Sequence, residues 1–216
     1  MRLALAFIFT AHGVYAQAVT AGAIGAIPTT DTFQTGFIHA AGLFPETVRF
    51  QVGPAIDFRL PGPFRVEIDA LYQPFSFTLD LLGGGTENDY NSGSLWQFPA
   101  VLKYRIPTPL LKPFVEVGPS FQIATNITET RTVYGGPLPL TFVAHPDPNN
   151  KAVAGIVVGG GIDFRLGHFF ISPQVRYTHW FVANFDFQPS EGVGSRFNQI
   201  QVLLSIRATP RRTASK

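Results

Sequence analysis

The sequence contains no cysteine. That excludes a disulfide framework, thiol chemistry and any thiolate metal site. Charged residues make up only 14% of the 216 positions, against ~25% in an ordinary soluble domain. Those charges nearly cancel, with 16 basic and 14 acidic residues, so no basic field marks a nucleic-acid partner. There is one methionine, and Lys and Glu are scarce, which argues against a helical bundle. No stretch after the N-terminal segment is apolar for the ~18 uninterrupted residues that a transmembrane helix requires.

What the chain has instead is 45% hydrophobic residues, 21 phenylalanines, 21 glycines and 18 prolines. Apolar content this high disfavours disorder. Gly, Pro and aromatic residues together favour strands and turns over helices.

Residues 1–18 read as an export signal. Met1-Arg2 is a short basic start, Leu3 to Phe9 is an unbroken apolar core, and small residues surround Ala16 and Ala18. Charge, core and small-x-small site follow in the order of a secretory signal, and the core is too short to span a bilayer. Cleavage after Ala16 or Ala18 fits equally well.

The rest of the chain alternates with period two. In Thr47 to Leu60, Val48, Phe50, Val52, Ile56, Phe58 and Leu60 share one side, while Arg49, Gln51, Asp57 and Arg59 share the other. Successive strand side chains face opposite sides, so this is a strand with one apolar and one polar face. The same reading predicts strands over 19–27, 64–73, 94–106, 113–124, 152–165, 169–180 and 197–207, making eight. The connections alternate between short turns, at 61–63, 107–112 and 166–168, and long loops, at 28–46, 74–93, 125–151 and 181–196. Segment 52–60 reappears as 158–166 with seven of nine residues identical, which reads as one hairpin unit used twice.

The polar face is distinctive. It carries Arg49, Arg59, Arg65, Lys103, Arg105, Arg165, Arg176 and Arg207 against Asp57, Glu67, Asp69, Glu116 and Asp163. Arginine dominates, which suits fixed bidentate ion pairs better than lysine does. The expectation is an interior charge network, because an eight-stranded barrel has a bore just wide enough for side chains to fill. The apolar face places Phe58, Phe64, Tyr72, Trp96, Tyr104 and Tyr177 near strand ends, where a membrane barrel carries its aromatic girdles. Four prolines, Pro54, Pro99, Pro119 and Pro173, fall within predicted strands. Each removes a ladder donor, so bulges are expected at Gly53-Pro54 and Gly118-Pro119. Trp180 lies on the polar parity and is expected either to face inward or to mark a lapse of alternation.

These features resemble the small outer-membrane β-barrel proteins of Gram-negative-type bacteria, the opacity-protein and outer-membrane-protein-A transmembrane-domain group. The residues that carry the resemblance are the signal segment, Val52-Gly53-Pro54 with Asp57-Phe58-Arg59-Leu60, the run Lys112 to Pro119, and Gln174 to Trp180 before the last loop. The resemblance spans residues 19–208 and leaves 209–216 as a basic tail. It implies an eight-stranded antiparallel up-and-down barrel in the outer membrane. The partners it implies are outer-membrane lipid, the barrel-assembly machinery and an extracellular ligand at the loops.

No cofactor, metal site or catalytic residue is expected. The histidines lack metal-ligand spacing. The acidic run from Asp80 to Asn91 lacks EF-hand spacing and reads as a solvated loop tip. Some outer-membrane barrels deacylate lipid A with a His and a Ser two apart on one strand. Here His179 has outward parity, but its neighbours at that spacing are Tyr177 and Phe181, and Ser172 is too distant to share a proton. The reading is therefore a non-enzymatic structural or surface-interaction barrel, with a porin-like solute channel and a lipid A-modifying enzyme as alternatives.

Overall fold

A computed structural model describes residues 19–35, 42–46, 48–80, 87–108, 111–136, 138–185 and 193–208. The signal segment 1–18 and the tail 209–216 lie outside the described residues. Thirteen strands appear: β1 (Val19–Pro28), β2 (Phe33–Thr35), β3 (Gly42–Glu46), β4 (Gln51–Arg59), β5 (Phe64–Asp69), β6 (Leu71–Asp80), β7 (Glu87–Arg105), β8 (Lys112–Val133), β9 (Leu140–Ala144), β10 (Ala152–Leu166), β11 (Phe169–Trp180), β12 (Val193–Ser195) and β13 (Asn198–Ala208). Every pairing is antiparallel. The ladder runs β1–β4–β5–β7–β8–β10–β11–β13 and returns to β1, so the sheet closes into a barrel of eight staves. Strand β6 continues the β5 stave upward and β3 extends the β4 stave, while β9 lies outside β8 above the barrel. Closure leaves no free edge across the membrane, where unpaired backbone groups would cost several kcal/mol each.

The alternation seen in the sequence becomes inside and outside. In β13, Gln199, Gln201, Leu203, Ser205 and Arg207 are buried, whereas Ile200, Val202, Leu204 and Ile206 are exposed. Exposed apolar residues along whole strands are what a lipid-facing wall requires. The turns at the lower end are short, and Gly62 and Gly167 supply the positive φ (75° and 60°) that two of them need.

Three expectations need correction. The strands are longer than predicted: β6 reaches Asp80, β7 begins at Glu87 and β8 runs to Val133. Periodicity alone makes 74–80 and 125–133 loop: in 74–80 the inward positions turn apolar at Phe75 and Phe77, and in 125–133 the alternation changes phase at Asn126. No bulge forms at either Gly-Pro pair, since the register runs unbroken through Pro54 against Ala23 and through Pro119 against Ile156. The register shift lies instead between Ser92 and Ser94. Finally, 48–50 is not strand, because β4 begins at Gln51.

The barrel lumen as candidate functional site

The lumen is layered. At the short-turn mouth, Phe170 lies with its ring centroid 5.6, 5.7 and 5.9 Å from the guanidinium carbons of Arg65, Arg105 and Arg165. Above it, Arg65 pairs with Asp57 at 2.7 Å and Arg105 pairs with Asp163. Arg207 donates to Asp57 at 2.6 Å, Glu67 at 2.6 Å and Asp163 at 2.9 Å. Ser172, which the sequence offers only as a serine too distant from His179 for catalysis, donates to Asp163 and accepts from Arg207.

One layer higher, Arg176 is 1% exposed and uses all three guanidinium nitrogens, on Glu116 (2.6 Å), Asp69 (2.6 Å) and Glu67 (2.7 Å). Lys103 bridges Glu67 (2.8 Å) and Glu116 (3.3 Å), and its ammonium stands 4.3 Å from the Phe114 ring centroid. Five basic and five acidic side chains thus form one connected set, with a contribution from every stave except β1. Equal numbers matter here. A buried charge left unpaired is costly, and this set leaves no net charge to compensate. Charge-assisted bonds of 2.6–2.9 Å are also the stronger kind.

Three of the sequence-predicted charges lie elsewhere. Arg59 and Arg165 have inward parity, but they occupy strand ends at the short-turn rim, where they are exposed. Parity fixes the side a residue faces and says nothing of its height in the bore. Arg49 precedes β4 at the opposite rim and pairs with Asp31 at 3.0 Å, with both side chains exposed.

Above the charges, an amide chain crosses the bore. Gln73 donates to Thr32 (3.3 Å), Gln51 to Gln73 (2.7 Å), and Gln201 to both Gln51 and Gln97 (3.0 Å each). The upper mouth is then filled by buried Phe33, Phe75, Phe77, Leu95, Ala124 and Ile127, with Phe185 packed against them. Phe33 touches Phe75, Phe77 and Phe185 at ring-centroid distances of 5.0–5.7 Å. Trp180 faces inward at 2% exposure. The sequence places the glutamines on the polar face without showing that they join, and it does not reveal the aromatic plug. Inward parity marks Gln51, Gln97 and Gln201, whereas Phe75 and Phe77 fall in the stretch that periodicity makes loop.

The six aromatics of the outer face all stand on the lipid side. Phe64 and Tyr104 pair across β5 and β7 at 5.5 Å, and Tyr72 and Trp96 pair across β6 and β7 at 5.2 Å. Phe58 is half-buried and Tyr177 is exposed. The acidic run is partly strand: Arg131 of β8 is held by Asp89 (3.1 Å), Glu129 (3.2 Å) and Glu87 (3.3 Å). His179 Nδ1 lies 2.8 Å from Asn198 Oδ1, the oxygen that also accepts from the Tyr177 hydroxyl at 2.7 Å.

An apolar outer wall, closed antiparallel staves and a bore filled with side chains define an integral β-barrel of the bacterial outer membrane. The chain belongs to the outer membrane protein beta-barrel domain family, whose model matches residues 33–200. No curated protein sequence matches the chain. Among solved structures it is similar to the outer membrane protein OprG from Pseudomonas aeruginosa, with 13% identity, a TM-score of 0.54, and coverage of 90% of this chain and 97% of that one. It is also similar to Neisserial surface protein A, NspA, with 12% identity, a TM-score of 0.45, and coverage of 89% and 97%. The likeness to OprG is one of fold. The protein is placed in the outer membrane of a Gram-negative-type bacterium.

Proposed function

We propose that the protein is a sealed structural barrel that presents its long-loop end to the exterior for surface interaction. The observation that carries this reading is the filled bore. Arg176, Arg207 and Lys103 are 0–1% exposed within the ion-pair layers, and an amide chain and an aromatic plug close the space above them. In this reading the charges lock the staves together, the outer wall meets lipid, and the upper segments meet the environment. Its partners are outer-membrane lipid, the barrel-assembly machinery that inserts such sheets, and a ligand at the upper end. The exported chain reaches them with residues 1–18 as its signal.

Planar bilayer recording of the purified protein tests the sealed bore. The expected outcome is no discrete conductance steps at moderate voltage. Reproducible steps with ion selectivity would overturn the reading in favour of a small porin-like channel. Acyl release from lipid A that is lost in His179→Ala would overturn it in favour of an enzyme.

A further inference from the structure

The β8–β10 seam opens at its top. Pairing between these strands ends at Ile123 against Ala152, after which β8 pairs with β9, from Glu129 against Ala144 onward. A groove of about 570 Å³ occupies the fork, lined by residues 123–128 on one side and by His145, Pro146, Asp147, Pro148 and Lys151 on the other. That volume lies within the ~300–1,000 Å³ of small-ligand sites.

Three features mark the groove as built for a ligand. First, the register shift falls here: Ser92 faces Thr128 while Ser94 faces Thr125, so β8 carries one extra residue. Asn126 takes it up at φ 55°, the left-handed position of a bulge. Bulges at barrel rims re-aim side chains, and here Ile127 turns into the aromatic plug while Asn126 is left exposed. Second, the buried Thr125 hydroxyl has no hydrogen-bond partner among the described residues. Third, His145 Nδ1 lies 3.4 Å from the Ile127 carbonyl and 3.3 Å from the Thr128 hydroxyl. A carbonyl only accepts, so the tautomer that makes this contact has its hydrogen on Nδ1 and leaves Nε2 as an acceptor for a ligand hydroxyl. Lys151 gives one donor to Asp147 at 2.8 Å and keeps its others.

The height of the groove identifies the occupant. From Lys112 at the short-turn end to Ile123 are eleven residue steps. At ~3.3 Å per step and ~40° tilt these rise about 28 Å, just past the ~25 Å apolar band. The groove therefore sits at outer-leaflet headgroup level, directly above lipid-facing Ile123. A single cation, Lys151, with a carboxylate and neutral imidazole and amide groups beside it, offers too little to a bare phosphate, which Asp147 would repel. These groups do not suit a bare phosphate. They do suit a phosphate attached to hydroxyl-bearing sugar.

We propose that this groove binds the phosphorylated sugar headgroup of an outer-leaflet glycolipid. Lys151 holds the phosphate, and His145 Nε2, Asp147 and Asn126 meet the sugar hydroxyls. The proposal rests on the outward orientation of the long-loop end argued above.

The test uses the full chain in zwitterionic detergent micelles, titrated separately with diphosphoryl lipid A, phosphatidylglycerol and glucosamine 1-phosphate. Lipid A is expected to bind saturably. Lys151→Glu and His145→Ala should each weaken it by about tenfold, the worth of one lost hydrogen-bonded contact. Arg49→Glu, which removes an exposed rim cation outside the groove, should leave it unchanged. Heat-modifiable gel migration confirms that each variant is folded. Absent saturable binding, an equal loss in Arg49→Glu, or equal affinity for phosphatidylglycerol would overturn the site. Equally tight binding of glucosamine 1-phosphate would overturn the membrane-lipid assignment in favour of a free phosphosugar. A sealed, non-conducting barrel that ignores lipid A would defeat this inference alone and leave the structural reading standing.

Discussion

Asp57 and Asp163 close on the two terminal nitrogens of a single guanidinium, that of Arg207, at 2.6 and 2.9 Å. They occupy equivalent places in the two copies of the repeated segment, on β4 and β10. The repeat thus delivers one carboxylate from each of two staves to the strand that closes the ring. The equivalence ends at the next partners. Asp57 takes Arg65 and Asp163 takes Arg105, while Arg176, the inward arginine that follows the second copy, reaches Glu67, Asp69 and Glu116 instead.

Arg207→Met should therefore be strongly destabilising. It leaves the lumen with one excess negative charge, and breaking a buried pair by removing one partner costs about 3–5 kcal/mol. Urea unfolding in lipid vesicles, followed by tryptophan fluorescence, measures the loss. The double variant Arg207→Met/Asp57→Asn restores the charge balance and should lose less than the sum of its single variants by about 1–3 kcal/mol. Strict additivity would show that the two side chains are not coupled.

The tight seams give a second prediction. A Cβ at Gly53 would lie 1.6 Å from the Ala70 carbonyl oxygen, and one at Gly118 would lie 2.0 Å from that of Ala100. Both obstacles are backbone of the neighbouring stave, so relief requires parting the ladder. Gly53→Ala and Gly118→Ala should fail to give the fast-migrating folded band on unboiled gels. Gly25→Ala, whose nearest neighbour would be 3.9 Å away, should fold normally. Equal folding of all three would refute the close approach.

How much of this was legible beforehand follows from what periodicity encodes. A period of two records which side a residue faces, so inward Asp57, Glu67, Arg176 and Arg207 and outward Phe64 and Tyr104 could be read from the chain. It does not record height, which is why Arg59 and Arg165 share the parity of the network yet sit at the rim. It also fails where the chemistry of the inner face changes. Phe75 and Phe77 continue the inward series of Glu67, Asp69, Leu71 and Gln73, but their apolar character made the stretch look aperiodic. The phase change between Ile123, which faces outward, and Ile127, which faces inward, was a readable sign of the bulge at Asn126.

The aromatic plug predicts a contrast between faces. Phe75 is 5% exposed and contacts the rings of Phe33 and Phe185 as well as stacking on Phe77. Phe75→Ala should cost about 3–5 kcal/mol, as expected when a large buried ring leaves a cavity. Phe121, on the lipid side at 52% exposure, leaves no such cavity because lipid chains fill the space. Phe121→Ala should cost clearly less in the same unfolding assay. Equal costs would show that the plug is not packed as described.

Asn126 offers a test of backbone geometry independent of any ligand. Its φ of 55° lies in the left-handed region, which glycine adopts freely, asparagine tolerates and β-branched residues resist. Opposite it, Gly93 has no room for a side chain, since a Cβ there would lie 2.5 Å from the Phe75 ring and 3.3 Å from the Thr125 carbonyl oxygen. Asn126→Gly should fold with unchanged or slightly raised stability. Asn126→Val should lose about 1–3 kcal/mol, the cost of holding a disfavoured backbone conformation. Were valine tolerated as well as glycine, β8 would have to pass Gly93 without a left-handed residue, and the turn of Ile127 into the plug would need another cause.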